Sequence, residues 1–144
     1  VTNSGFEYSI DRSAYCFFVK HYGIFDRQVV LDGNKAISAD DDYVWDLNRL
    51  IDIRNCSIDL TGDEVRDLSR KVTSRLAGQG HYRGAYLIDN SLAHGLARIF
   101  KALAESDVNE YRIFHADDEA LASDLRTWLN LSHGYVFPDF LILN

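Results

Sequence analysis

The chain contains no methionine and a single proline, Pro138. With so little proline, long irregular loops and linkers are not expected. No apolar run approaches the ~20 residues that cross a bilayer, and no secretory signal pattern opens the chain. A start at Val1 with no methionine anywhere is the expected mark of a trimmed N-terminus. There are two cysteines, Cys16 and Cys56. They form no CxxC, and neither has a histidine at metal-ligand spacing. They are expected as separate free thiols, buried in or beside strands, in a reducing, cytoplasmic setting; a disulfide between them is the alternative, and nothing demands it. Positive charge is also short: 15 Lys and Arg stand against 22 Asp and Glu, for a net charge of −7. Such a surface repels a phosphate backbone and an anionic membrane, so no nucleic-acid partner is expected.

What is present is the composition of a packed globule. Hydrophobic residues make up 47% and charged residues 26% of 144, which argues against disorder and sets the size of one domain over 1–144. "FEYSI" at 6–10 alternates apolar and polar residues, and "AYCFFVKHY" at 14–22 is aromatic and β-rich. With "DRS" between them, they predict a hairpin. Asp26 can cap a helix carrying Val29, Val30 and Ile37, weakened by Gly33 and ended by Asp40-Asp41-Asp42. "RLIDI" at 49–53 is a short strand. From Thr61, Val65, Leu68, Val72 and Leu76 recur at helical spacing until Gly78 and Gly80. "GAYLI" at 84–88 reads as a strand covered on both faces. Asn90 caps a helix with Leu92, Leu96, Ile99, Phe100 and Leu103 on one face. "YRIFH" at 111–115 is a strand, and Asp117 caps a last helix with Leu121, Leu125, Trp128 and Leu129. The order is β-β-α-β-α-β-α-β-α, an α/β layer on a mixed sheet. The apolar tail 134–144 must be covered. It either adds a strand to its own sheet or docks on a second subunit, and Pro138 limits it to an edge or a bend.

The hairpin, "LIDIR", "LTGDEVRDLSRKV", "AYLIDNSLAHGLARIFKALAE" and "YRIFHADDEALASDL" together resemble the SpoIIAA-like family of small bacterial proteins, which is related to STAS domains, the anti-sigma-factor antagonists. The resemblance covers about residues 6–130 and rests mostly on packing motifs. It implies a SpoIIAA/STAS-like mixed β-sheet with helices packed mainly on one side. Most members of this family have no established activity. Related STAS domains are non-enzymatic switches that bind proteins; some are phosphorylated at the helix after the central strand, and others bind nucleotides or lipids.

In phosphorylated STAS domains that junction reads Asp-Ser-[Ser/Thr]-Gly. Here it reads Asp59-Leu60-Thr61-Gly62, so Thr61 is the nearest equivalent hydroxyl and Ser57 a poorer one. A helix N-terminus favours a phosphate, but Asp63 and Glu64 would repel it. Thr61-x-x-Glu64 is also a capping box, typically worth ~1 kcal/mol. Asp52, Arg54, Asp89, Asn90 and His115 stand at carboxyl ends of strands, where open α/β sheets gather ligands near a switch in strand order. The same residues are explained by an Arg54–carboxylate pair and helix capping. An apolar groove beneath the helices is a second place for a small ligand or lipid. Arg66, Arg70 and Arg75 on the helix 61–77, with Phe137 and Phe140 of the tail, are the candidate partner surface. A solvated helix face accounts for the arginines equally well. Ser91, His94 and Asp89 share one helix start and cannot hold triad geometry. There is no GxGxxG, P-loop or metal motif, so no catalytic residue, cofactor or metal is expected. The reading is a non-enzymatic regulatory module acting through protein contacts as a homodimer; the alternative is a small-molecule or lipid sensor.

Overall fold

A computed structural model describes residues 4–74, 81–105 and 109–143. Its elements are β1 (Gly5–Asp11), β2 (Cys16–Asp26), α1 (Arg27–Ala39), β3 (Asn48–Asp52), β4 (Cys56–Asp59), α2 (Gly62–Ser74), β5 (Tyr82–Ile88), α3 (Ser91–Ala104), β6 (Asn109–His115) and α4 (Leu121–Trp128), with a 3-10 turn at Asp139–Leu141. The fold is α/β, with a mixed six-stranded sheet in the order β1-β2-β3-β5-β6 and β4 paired to the far end of β2. Only the β1–β2 hairpin is antiparallel. The strands β2, β3, β5 and β6 advance in one direction. Crossovers of one hand then deliver their helices to one face. Val29 of α1 and Ala93 and Ala97 of α3 accordingly share a core with Phe25, Tyr86 and Ile88.

The opposite face is covered by α4 and the tail. Leu125, Leu129, Phe137 and Leu141 pack there on Phe18, Leu50, Leu87 and Phe114. Alternation along β5 sorts the two faces: Tyr82, Gly84, Tyr86 and Ile88 point toward α1–α3, Ala85 and Leu87 toward the tail.

Several expectations need correction. The expected order lacks one strand between "RLIDI" and the helix from Thr61: Cys56–Asp59 is a fourth strand that extends the β3 edge along β2. Its signal was the alternation of Cys56, Ile58 and Leu60 with polar residues, too short to separate from a turn. Asp117 does not cap the last helix. The Asp118 carboxylate takes the backbone N–H of His115 at 3.0 Å, and α4 starts three residues later, at Leu121 behind Ala120, without a side-chain cap. Leu92 and Leu103 are 60% and 42% exposed, because α3 approaches the sheet on its small residues Ala93 and Ala97 and turns both leucines outward. The tail adds no strand; it runs across the sheet face and folds into the 3-10 turn after Pro138. The stop signals Gly78 and Gly80, and Leu76 and Arg75, lie outside the described residues.

The capping expectations at Asp26 and Asn90 hold. Asp26 accepts the Val29 N–H and Asn90 the Ala93 N–H. The capping box forms in both directions, Glu64 N–H to Thr61 Oγ1 and Thr61 N–H to Glu64 Oε1, each at 3.1 Å.

Candidate functional site

The residues expected at the strand ends separate into two groups. Asp52 is fully buried and forms a two-pronged ion pair with Arg54, Nε to Oδ1 at 3.0 Å and Nη2 to Oδ2 at 2.8 Å. The same Nη2 donates to the Leu141 carbonyl at 2.6 Å. This pair fastens the tail. Asp89, Asn90 and His115, with Ser91, His94 and Asp117, line a separate cleft of about 370 Å³. Asp89 is already engaged there by the Asn55 N–H and the Asn90 amide. The His94 and His115 rings lie 5.1 Å apart. The strand order never reverses between β2 and β6, so the sheet has no switch point to open a deep crevice at these ends.

The other expected residues are placed as follows. Thr61 Oγ1 accepts the cap bond, and Ser57 is exposed on β4. Arg66 pairs with Asp63, while Asp67 takes both Arg27 and Lys71, so the basic face of α2 is interleaved with its own acids. Arg70 is exposed, and Arg75 lies outside the described residues. Phe137 is buried in its own chain and Phe140 is half-buried, which withdraws Phe137 from any partner surface.

The more distinctive site lies under the helices. α2 packs mainly on α3 and α1 rather than on the strands, which leaves a gap above the middle of the sheet. The result is a cavity of about 100 Å³. Its floor is formed by alternate residues of the central strands, Val19 and His21 of β2 beside Arg49 and Ile51 of β3, with Tyr86 and Tyr111 beyond. Gly33 of α1 and Ala97 of α3 form the walls, and Ser69 of α2 the roof.

Six polar side chains line this largely apolar space, His21, Asn34, Arg49, Ser69, Tyr86 and Tyr111. Arg49 is 5% exposed, yet among the described residues no carboxylate pairs with it. Its guanidinium lies 3.7 Å from the Tyr82 ring centroid and 4.9 Å from that of Phe17. Desolvated cation–π contacts of this kind contribute ~2 kcal/mol or more. Nε donates to the Leu47 carbonyl at 3.2 Å, and Nη2 to the carbonyls of Leu47 and Trp45 at 2.8 and 2.9 Å. Nη1 makes no hydrogen bond to a described residue. His21 is 6% exposed, and its Nδ1 is buried without a partner among the described residues. Burial lowers its pKa to about 4, so the ring is neutral near pH 7. Tyr86 stacks on Tyr111 with centroids 5.2 Å apart. Burial raises both phenols against the opposing pull of the Arg49 charge, and Tyr111 is held further by the 2.7 Å contact between its hydroxyl and that of Tyr82. Among the described residues no hydrogen bond engages the Tyr86 hydroxyl.

Sequence reasoning passed over this constellation. Its signal was positional: Arg49, Ile51 and Ile53 share one face of a central strand, as do Val19 and His21 of its neighbour. A lone cation on the inward face is then unusual. Cys16 and Cys56 are free and buried, and burial raises the Cys56 thiol to about 11. Among the described residues no cluster of His, Cys, Asp and Glu is arranged to hold a metal ion. No described helix is long and apolar enough to cross a membrane. Searches of family models, of curated proteins and of solved structures found no significant match to this chain.

Proposed function

We propose that the chain is a non-enzymatic binding domain for a small molecule held in the cavity beneath α2. The observation that carries this reading is the His21 imidazole, buried in the cavity floor with Nδ1 lacking a partner among the described residues. A buried polar atom without a partner costs about 1–3 kcal/mol, and few survive in native interiors. A ligand that supplies the missing partner recovers that cost. The resemblance to SpoIIAA-like and STAS domains supports a role without catalysis. The two free buried thiols suit a reducing compartment, so we place the site of action in the cytoplasm.

Gly33 provides the test. A Cβ built there meets His21 Cε1 at 3.6 Å, an ordinary contact, so Gly33→Ala fits and gains about 1 kcal/mol of helix propensity. Gly33→Leu fills the space. A fragment library observed by ligand NMR should find binders of the parent and of Gly33→Ala, and lose them in folded Gly33→Leu. Binding that survives the leucine would move the site elsewhere.

A second reading, a regulatory homodimer acting through protein contacts, draws on Val136 and Ile142, which are 69% and 79% exposed at the two ends of the docked tail. Sedimentation of the parent and of a Val136→Ser/Ile142→Ser double variant tests it. A dimer that the double variant abolishes supports this reading, and a monomeric parent removes it.

A further inference from the structure

We infer that the ligand of this cavity is a short-chain alcohol, a neutral molecule of about four non-hydrogen atoms whose hydroxyl pairs with His21 Nδ1 and whose carbons cover the apolar wall around it. The inference rests on the binding-domain reading and specifies its ligand. Charge comes first. Among the described residues the lining has no lysine and no carboxylate. Its arginine, Arg49, stacks its guanidinium on the Tyr82 ring and donates to the carbonyls of Trp45 and Leu47, none of which lines the cavity. The His21 ring is held neutral near pH 7 by burial. A charged ligand would therefore enter an apolar site with no counter-charge directed at it, which is costly. A neutral ligand meets no such cost.

Geometry comes second. The His21 ring meets Phe25 edge-on with centroids 4.8 Å apart, and the Phe6 ring lies at 6.3 Å. Its Cε1 atom faces Gly33 of α1, where an added Cβ would come within 3.6 Å. Nδ1 is bonded to Cε1, so the polar edge of the ring lies on the side that Gly33, having no side chain, leaves open. Both residues line the cavity. A neutral imidazole has one donor and one acceptor nitrogen, and a hydroxyl both donates and accepts, so an alcohol pairs with Nδ1 in either tautomer. Water offers the same pairing, but a buried water needs about two to four polar partners. The groups measured against this ring are two phenyl rings and a glycine. An alcohol needs one partner, and its alkyl group lies against the apolar neighbours that water could not use.

Size comes third. The space is about 100 Å³. An apolar cavity of ~150 Å³ accepts benzene, so in proportion this one takes about four non-hydrogen atoms, the size of a propanol.

The test is NMR on the full chain at pH 7, following the imidazole nitrogen resonances during titration with propan-1-ol and, separately, with xenon as an apolar probe of the same space. The expected result is that both probes bind, and that propan-1-ol moves the His21 nitrogen resonances while xenon leaves them nearly in place. In His21→Phe the ratio of propan-1-ol affinity to xenon affinity should fall about tenfold, the loss expected when a buried hydroxyl has no partner. Unmoved His21 resonances, or an unchanged ratio in His21→Phe, would overturn the inference and leave the cavity reading intact. So would xenon that binds where propan-1-ol does not. If neither probe binds, both readings fall. Should His21→Phe not fold, the nitrogen resonances of the parent decide alone.

Discussion

At His21 burial outweighs every other influence on the ring, and stability acquires a pH dependence. The unfolded histidine takes up its proton near pH 6.5, while the folded one resists until about 4. Between those values the unfolded state binds more protons, so stability present above pH 6.5 is lost as the pH falls toward 4, by about 3 kcal/mol over the window. Chemical denaturation at pH 7 and pH 4.5 should show this loss in the parent and a much smaller one in His21→Phe. The phenylalanine retains the edge contact with the Phe25 ring, 4.8 Å away, without the titrating nitrogen. This residue was visible in the sequence only as one of five histidines lacking a metal or catalytic spacing. Its role depends on facing inward across from α1, and that follows from the parity of β2, which single residues do not announce. Thr61 and Glu64 are the opposite case. Their roles are set by four consecutive residues, so the capping box was legible without any tertiary contact.

At the scale of elements, local chemistry carried the reading wherever a cap or a periodicity decided the outcome, and failed where tertiary contacts did. The helices after Asp26, Thr61 and Asn90 begin where their caps place them. β4 exists because β2 runs past the end of β3 and leaves four residues of edge to be paired. That edge is a property of the sheet and not of the segment 56–59. The pairing of β5 with β6 shows the same dependence at Gly84, whose register partner is Tyr111. A Cβ at Gly84 would overlap Cε1 and Cδ1 of the Tyr111 ring, so only glycine lets that ring lie over the strand and stack on Tyr86. Gly84→Ala should therefore push Tyr111 off the cavity floor at a cost of ~1–3 kcal/mol. The change is measurable as a lowered denaturation midpoint together with altered tyrosine near-UV circular dichroism. An unchanged near-UV spectrum would mean that the ring keeps its place, contrary to this account.

At the scale of the whole molecule, the sheet has one face covered by helices that its own crossovers deliver and another that they leave bare. The tail is the answer to the second face, and the sequence posed that problem through its late apolar run without saying which chain would solve it. Phe137 and Leu141 are buried to within 1%, and each contributes about 1.5–3 kcal/mol by leaving water. Against a typical net stability of 5–15 kcal/mol, the tail is a large share of what keeps the domain folded. Its anchor is the Asp52–Arg54 pair, because Arg54 Nη2 holds the Leu141 carbonyl and the buried Asp52 carboxylate together. Arg54→Met should cost ~3–5 kcal/mol, since it strands a fully buried charge. Adding Asp52→Leu should recover most of that loss, because the stranded charge goes while the apolar contacts of the tail remain. Equilibrium denaturation of the two single variants and the double separates the terms. Recovery in the double would assign the cost to the carboxylate. A double variant as unstable as Arg54→Met would assign it instead to the lost bond at Leu141, and a protease-sensitive tail in both variants would then mark where the domain begins to open.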